Sequence, residues 1–155
     1  MMALPAVAQD VTTIGTRGDW TAYSFKEGKG KVCYAASLPA RSEGNYAKRG
    51  DVFALVTHRP AEKSFGVVSI VAGYSYKPDS PVEMAIGDKM FKLISHGETA
   101  WASGSDDKAI VAAMKNGNSM QVRGKSARNT ETTDMFSLKG FSAALDTIDK
   151  ACGTR

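Results

Sequence analysis

Short runs of apolar residues, separated by glycine and charged residues, dominate the chain between residues 20 and 101. Runs of this length at regular spacing are typical of antiparallel strands joined by turns. We predict strands at 20–25, 32–38, 52–58, 66–74, 82–86 and 90–94. The glycine-bearing segments 26–31 and 87–89 predict tight hairpin connections, and the polar segment 40–50 predicts an exposed loop.

The hydrophobic period changes in the last third of the chain. Ser105 followed by Asp106 and Asp107 predicts the start of a helix, because a serine cap and acidic residues both stabilise a helix N-terminus. Gly117 predicts its end. After two further strands, at 119–126 and 135–138, apolar residues recur at spacings of three and four. This stripe predicts a C-terminal helix with its apolar side toward the core. Its members are Leu138, Phe141, Leu145, Ile148 and Cys152.

These elements predict a mainly β protein, an antiparallel β-sandwich or barrel with one inserted helix and a C-terminal helix. A chain of 155 residues is the size of one domain. No repeat or linker divides it, so we assign residues 9–155 to a single domain. No window approaches the 18 or so apolar residues of a membrane-spanning helix, and we predict no transmembrane segment.

The first eight residues have the character of a processing segment. Ala6-Val7-Ala8 stands directly before Gln9-Asp10 and has the small-x-small pattern that signal peptidase cleaves. We therefore interpret residues 1–8 as a signal-peptide remnant and predict an exported protein, whether periplasmic, outer-membrane-associated or secreted. The alternative is a flexible N-terminal extension.

The chain has two cysteines, Cys33 and Cys152, which lie far apart. The absence of a C-x-x-C pair excludes a thioredoxin-type redox motif and a zinc knuckle. In an oxidising compartment two lone cysteines most simply form one disulfide. In the cytosol they would instead be two buried thiols that pack as small apolar residues. The residues alone leave both interpretations open.

The sequence contains no motif that identifies an enzyme. Neither histidine has a partner at metal-binding spacing, and there is no nucleophile elbow or phosphate-binding loop. We predict no catalytic residue, no metal and no cofactor. The alternatives are a hydrolase of envelope material that uses His96 near Glu98, or a small-ligand carrier built on a closed β architecture.

The net charge is +4 and the isoelectric point is about 9.1, with the basic residues scattered among 16 acidic ones. This balance lacks the basic patch of a nucleic-acid-binding protein. Two basic clusters nevertheless predict a surface that faces an anion, such as an acidic macromolecular or cell-envelope partner. The alternative is a solvated face that keeps the sheet edges unpaired. The clusters are Arg123, Lys125 and Arg128, and Arg41, Lys48 and Arg49.

Four features in this order resemble the invasion-associated locus B family of alphaproteobacterial exported proteins. They are Gly18-Asp19-Trp20-Thr21 after the predicted cleavage site, the predicted strand Val32-Cys33-Tyr34, the strand-rich middle of the chain, and Gly140-Phe141-Ser142-Ala143-Ala144-Leu145 leading to Cys152. The resemblance implies export, a strand-rich fold and a Cys33–Cys152 disulfide. The family is named for a role in the invasion of host red cells, and the resemblance transfers no catalytic residue. We therefore expect a non-enzymatic protein that binds a host or envelope partner.

Overall fold

The computed structural model describes residues 10–103 and 105–154, which form eleven strands and two α-helices. The predicted signal remnant, residues 1–8, lies outside the described residues. The strands are β1 (Thr12–Arg17), β2 (Trp20–Glu27), β3 (Gly30–Ser37), β4 (Arg41–Gly44), β5 (Phe53–Arg59), β6 (Ser64–Val71), β7 (Val82–Ile86), β8 (Lys89–His96), β9 (Thr99–Ala102), β10 (Ser119–Lys125) and β11 (Glu131–Ser137). The helices are α1 (Asp106–Asn116) and α2 (Phe141–Cys152).

All eleven strands belong to one antiparallel sheet, in the order β1-β2-β3-β5-β6-β9-β8-β7-β10-β11-β4. The sheet is open and sandwich-like, with β1 and β4 at its two edges. The predicted fold class, mainly antiparallel β with one inserted and one C-terminal helix, is therefore confirmed. Both predicted hairpins are present, with two-residue turns after Glu27 and Ile86.

The structure corrects the prediction that residues 40–50 form a loop throughout. Arg41–Gly44 is the edge strand β4 and pairs with β11, where Arg41 lies opposite Met135. β11 itself begins at Glu131, four residues before the predicted start. These segments are polar, so they carry no apolar alternation; they are strands because a neighbouring strand completes their backbone hydrogen bonds.

Helix α2 packs against the buried side of β1, β2, β3 and β5, and α1 packs against β6, β8 and α2. Of the predicted apolar stripe of α2, Phe141, Leu145 and Ile148 are buried and Cys152 is half-buried. Ala144, which the stripe did not include, is buried beside them. The helix begins only at Phe141, so Leu138 is a buried residue of the segment before it.

The start of α1 differs from the prediction in its hydrogen bonds. Ser105 makes no side-chain capping bond, whereas the Asp107 carboxylate accepts a hydrogen bond from the backbone N–H of Val68, with N···Oδ1 2.9 Å. Burial raises the pKa of Asp107, against the opposing effect of this hydrogen bond. The acidic first turn therefore joins the helix to the edge of β6, where the pairing with β9 has ended.

A glycine makes possible the close contact between the β1–β2 turn and the start of α2. Gly140 has φ +88°, and a Cβ at this position would lie 1.9 Å from the carbonyl oxygen of Arg17. Any side chain would therefore force the two segments apart. The same junction is held by hydrogen bonds from Asp19 N to Lys139 O, 2.9 Å, and from Trp20 Nε1 to Ser137 O, 2.8 Å.

Two side-by-side links attach α2 to the sheet. Cys33 and Cys152 form a disulfide, with their Cα atoms 6.0 Å apart. His58 is the register partner of Cys33 on the adjacent strand, and its Nε2 lies 2.7 Å from Asp149 Oδ1 on α2. The other ring nitrogen, Nδ1, accepts a hydrogen bond from Gly66 N at 2.9 Å, so Nε2 carries the hydrogen that Asp149 accepts.

Candidate anion-binding site

A cleft of about 830 Å³ opens between the loop after β4, the segment after β6 and the β10–β11 turn. We call it the loop cleft and define it by Tyr46, Lys48, Tyr74, Ser75, Arg128 and Thr130. Among the described residues that line it, two carry a positive charge and none carries a carboxylate. The cleft therefore offers an anion two cations, hydroxyl groups and two phenol rings, with no negative side chain at its wall.

The β10–β11 turn, which carries Arg128, is held by its own hydrogen bonds. The hydroxyl of Ser126 accepts from the backbone N–H groups of Arg128 and Thr130, both at 3.2 Å. The backbone N–H of Ala127 donates to Ser75 O at 2.8 Å and ties the turn to the neighbouring wall. A wall fixed in this way loses little conformational entropy when a ligand binds.

Arg49 lies behind the cleft and is closed to ligands. Its guanidinium donates two hydrogen bonds to the Asp134 carboxylate, at 2.8 and 2.7 Å, and one from Nε to Ala72 O at 2.8 Å. The side chains of Arg49 and Asp134 are 4% and 3% exposed. The prediction that Arg49 belongs to an exposed anion-facing cluster is therefore wrong. The sequence places it in a polar run, but the fold buries it against a carboxylate from a distant strand.

The buried pair also positions the two tyrosines of the cleft. The guanidinium carbon of Arg49 lies 5.3 Å from the ring centre of Tyr46 and 4.9 Å from that of Tyr74. Both distances are typical of cation–π contacts. The hydroxyl of Tyr74 is hydrogen-bonded to that of Thr132 at 2.6 Å. The Arg49 guanidinium is fixed by its hydrogen bonds to Asp134, and it therefore orients both tyrosine rings.

The pKa of Arg49 and the pKa of Tyr74 are both raised, but for different reasons. Burial alone would lower the pKa of Arg49, but the hydrogen bonds and charge of Asp134 outweigh it, and the pKa lies above its ordinary value. Burial raises the pKa of Tyr74, although Thr132 and Arg49 act in the other direction. Tyr74 therefore remains a neutral phenol at physiological pH.

Three of the predicted basic residues lie on the outer sheet face formed by β7, β10, β11 and β4: Arg41, Arg123 and Lys125. Each stands beside a glutamate: Arg123 is opposite Glu83, Lys125 Nζ lies 3.8 Å from Glu131, and Arg41 lies 3.1 Å from Glu43. Exposed pairs of this kind contribute little to stability, but they do compensate the charge locally. Lys48 and Arg128 meet at the loop cleft, whereas Arg123 and Lys125 line a smaller pocket of about 180 Å³ that also contains Glu83 and Glu131.

Comparisons with known proteins decide the family. A family model described as "Invasion associated locus B (IalB) protein" matches residues 20–149, which is most of the chain. The chain belongs to the IalB family. The crystal structure of invasion associated protein B from Bartonella henselae matches with a TM-score of 0.63 and 20% sequence identity. The match covers 91% of this chain and 98% of that one, and it shows a shared fold. A search of curated proteins found no match.

The two histidines of this IalB-family chain occupy different environments. His58 is buried and both of its ring nitrogens are hydrogen-bonded, so neither is available as a base. His96 is exposed at the end of β8, opposite Thr99, and forms no hydrogen bond to another described side chain. In the described ranges, no three metal-binding side chains come together. No helix within residues 10–103 and 105–154 is long and apolar enough to cross a membrane.

Three residues that shape the cleft of this IalB-family member were not predicted from the sequence: Tyr46, Tyr74 and Asp134. Asp134 lies on the same buried face of β11 as Thr132 and Phe136, and a charged residue on the buried side of a strand needs a partner. Its spacing of two residues from Phe136 was the signal that could have indicated a buried pair. The tyrosines carry no comparable signal, because their proximity depends on loops that are distant in sequence.

Proposed function

We propose that the protein is exported and acts without catalysis, as a binding protein that holds an acidic partner of a cell surface or envelope at the loop cleft. The observation that carries this proposal is the convergence of Lys48 and Arg128 on one cleft that no described carboxylate lines. Favourable charge at a concave site both attracts an anionic partner over distance and holds it after contact.

Two further observations support a binding role. His58 is hydrogen-bonded to Asp149, but its other ring nitrogen accepts from Gly66 N and is not free to act as a base. The exposed His96 has no orienting hydrogen bond from a described side chain, so neither histidine has the arrangement that a hydrolase needs. The family name and the name of the Bartonella henselae protein both refer to invasion, which supports a partner on a cell surface.

Binding is tested with two labelled polyanions, heparin and poly-L-glutamate, by fluorescence anisotropy. Measurements at about 0.01 M and about 0.15 M salt compare Debye lengths of about 30 and 8 Å. We expect Lys48→Glu/Arg128→Glu to abolish binding that the wild type shows at low salt. The control, Arg41→Glu/Arg123→Glu, changes the net charge equally on the outer sheet face and should retain specific binding. If the wild type binds neither polyanion at low salt, the proposed anion-binding function is wrong.

Export is tested by intact mass on protein produced with its full native signal in an exporting host. We expect a chain that begins at Gln9 and is two hydrogen atoms lighter before reduction than after it. An unprocessed chain with two free thiols would contradict export and return the cytosolic alternatives to consideration.

A further inference from the structure

We propose that the loop cleft binds an acidic saccharide, with carboxylate groups of the sugar held by Lys48 and Arg128 and a sugar ring lying against Tyr46. This inference rests on the proposed anion-binding function and names the chemical class of the ligand. It follows from the size, the charge and the aromatic content of the cleft.

The size of the cleft favours an extended ligand over a single inorganic ion. Its volume of about 830 Å³ falls within the range of about 300–1,000 Å³ that is usual for sites of organic ligands. A phosphate or sulfate ion would contact one part of such a cleft and leave the rest to water. A short oligosaccharide has the dimensions to reach from Tyr46 and Lys48 in the loop after β4 to Arg128 in the β10–β11 turn.

The polar groups of the wall match a ligand that carries both carboxylates and hydroxyls. Lys48 and Arg128 donate to carboxylates, and charge-assisted hydrogen bonds of this kind are stronger than neutral ones. Ser75 and Thr130 add hydroxyl groups that both donate and accept hydrogen bonds, as sugar hydroxyls do. An acidic peptide would use the same two cations and would pair with these hydroxyls through its backbone amides, so the choice between the two ligands rests on Tyr46.

Tyr46 is the feature that distinguishes a sugar from other anions. Its ring is partly exposed in the cleft next to Lys48, and the guanidinium of Arg49 contacts it. A pyranose ring presents a flat face of C–H groups, which packs on the face of a phenol ring. Because Arg49 is immobilised by Asp134, the Tyr46 ring is oriented before the ligand arrives, and the ordering cost of binding is reduced.

Isothermal titration calorimetry on the full-length protein tests the inference with three probes. Tetragalacturonate carries a carboxylate on every sugar, maltotetraose is a neutral tetrasaccharide, and tetraglutamate is an acidic peptide. We expect tetragalacturonate to bind more tightly than either of the other two. Lys48→Gln/Arg128→Gln should weaken its binding by about tenfold for each cation removed. The matched control Arg41→Gln/Arg123→Gln should leave it within about twofold.

Tyr46→Leu separates sugar packing from charge, because it keeps both cations and an apolar side chain. We expect it to weaken tetragalacturonate binding severalfold and to leave tetraglutamate binding unchanged. If Tyr46→Leu does not fold, chemical shift changes in the wild type locate the tetragalacturonate site. Changes centred on residues 45–48, 74–75 and 126–130 would support the inference, and changes confined to other segments would overturn it.

The outcomes distinguish this inference from the proposed function. Binding of tetraglutamate that equals or exceeds binding of tetragalacturonate would overturn the saccharide and leave an anion-binding protein. If Tyr46→Leu weakened the binding of tetragalacturonate and of tetraglutamate equally, the saccharide would also be overturned and the anion-binding function would stand. Binding of none of the charged probes at low salt would overturn both proposals.

Discussion

The rings of Trp20 and Phe141 meet edge to face, with their centres 5.0 Å apart and their planes at 70°. Trp20 opens β2 and Phe141 opens α2, and both are fully buried. This contact joins two segments that are separated by most of the chain length, at the junction where Gly140 lies against Arg17. The pair therefore connects the sheet to the C-terminal helix.

Phe141→Ala should lower the free energy of unfolding by about 3–5 kcal/mol, because it removes a buried ring and leaves a cavity beside Trp20. Urea unfolding followed by circular dichroism measures the loss. The control is Phe25→Ala, which removes the same side chain from a partly buried position on β2. Equal losses in the two variants would contradict the central place of Phe141 in the core.

Cys152→Ser should lower the melting temperature of the oxidised protein. The disulfide closes a loop with a sequence separation of 119, and the chain-entropy model gives about 4.7 kcal/mol for a loop of about 100 residues. Scanning calorimetry with and without a reductant provides the measurement. The reductant should destabilise the wild type and leave Cys152→Ser unchanged. If the substitution is neutral without reductant, the disulfide does not constrain the fold.

Arg49→Met should destabilise the protein strongly, by about 3–5 kcal/mol, because it leaves the Asp134 carboxylate buried without its partner. Arg41→Met is the matched control, since Arg41 pairs with Glu43 in solvent and an exposed pair contributes about 0–1 kcal/mol. Chemical unfolding of both variants at neutral pH makes the comparison. Similar small losses would mean that Arg49 is not in the buried pair.

Tyr76→Phe should reduce the loss of stability that the wild type shows at alkaline pH. Burial raises the pKa of Tyr76 above its ordinary value of 10.0, and neighbouring Tyr74 and Asp134 add to the effect. Above pH 10 the unfolded chain therefore loses the phenol proton more readily than the folded chain does. The contribution of the Tyr76 phenol to the free energy of unfolding is therefore fully present below pH 10 and decreases as the pH rises above 10.

Urea midpoints at pH 8, 10 and 11 test this dependence. The wild type should lose more stability between pH 8 and pH 11 than Tyr76→Phe does. Tyr23→Phe, on the outer face of β2, serves as the comparison. Identical pH profiles for the wild type and Tyr76→Phe would show that the Tyr76 phenol is not buried in the folded protein.

The sequence by itself determined most of the apolar framework. Alternating apolar residues predicted the central strands, because a strand with one buried face repeats every two residues. The apolar residues from Phe141 to Cys152 recur every three or four residues, as one face of a helix does. This stripe predicted α2 and placed Cys152 on its core-facing side. Polar β4 and the first half of β11 carried no such signal, since their place depends on backbone pairing with neighbours distant in sequence.

Only the tertiary structure decided the character of the basic clusters. Lys48 and Arg49 are adjacent in the sequence, yet one lines the loop cleft and the other is buried against Asp134. Arg123 and Arg128 divide in the same way between a glutamate-bearing sheet face and the cleft. A charge acts through the groups within a few ångströms of it. Those groups come from other strands and loops, so the local sequence does not contain them.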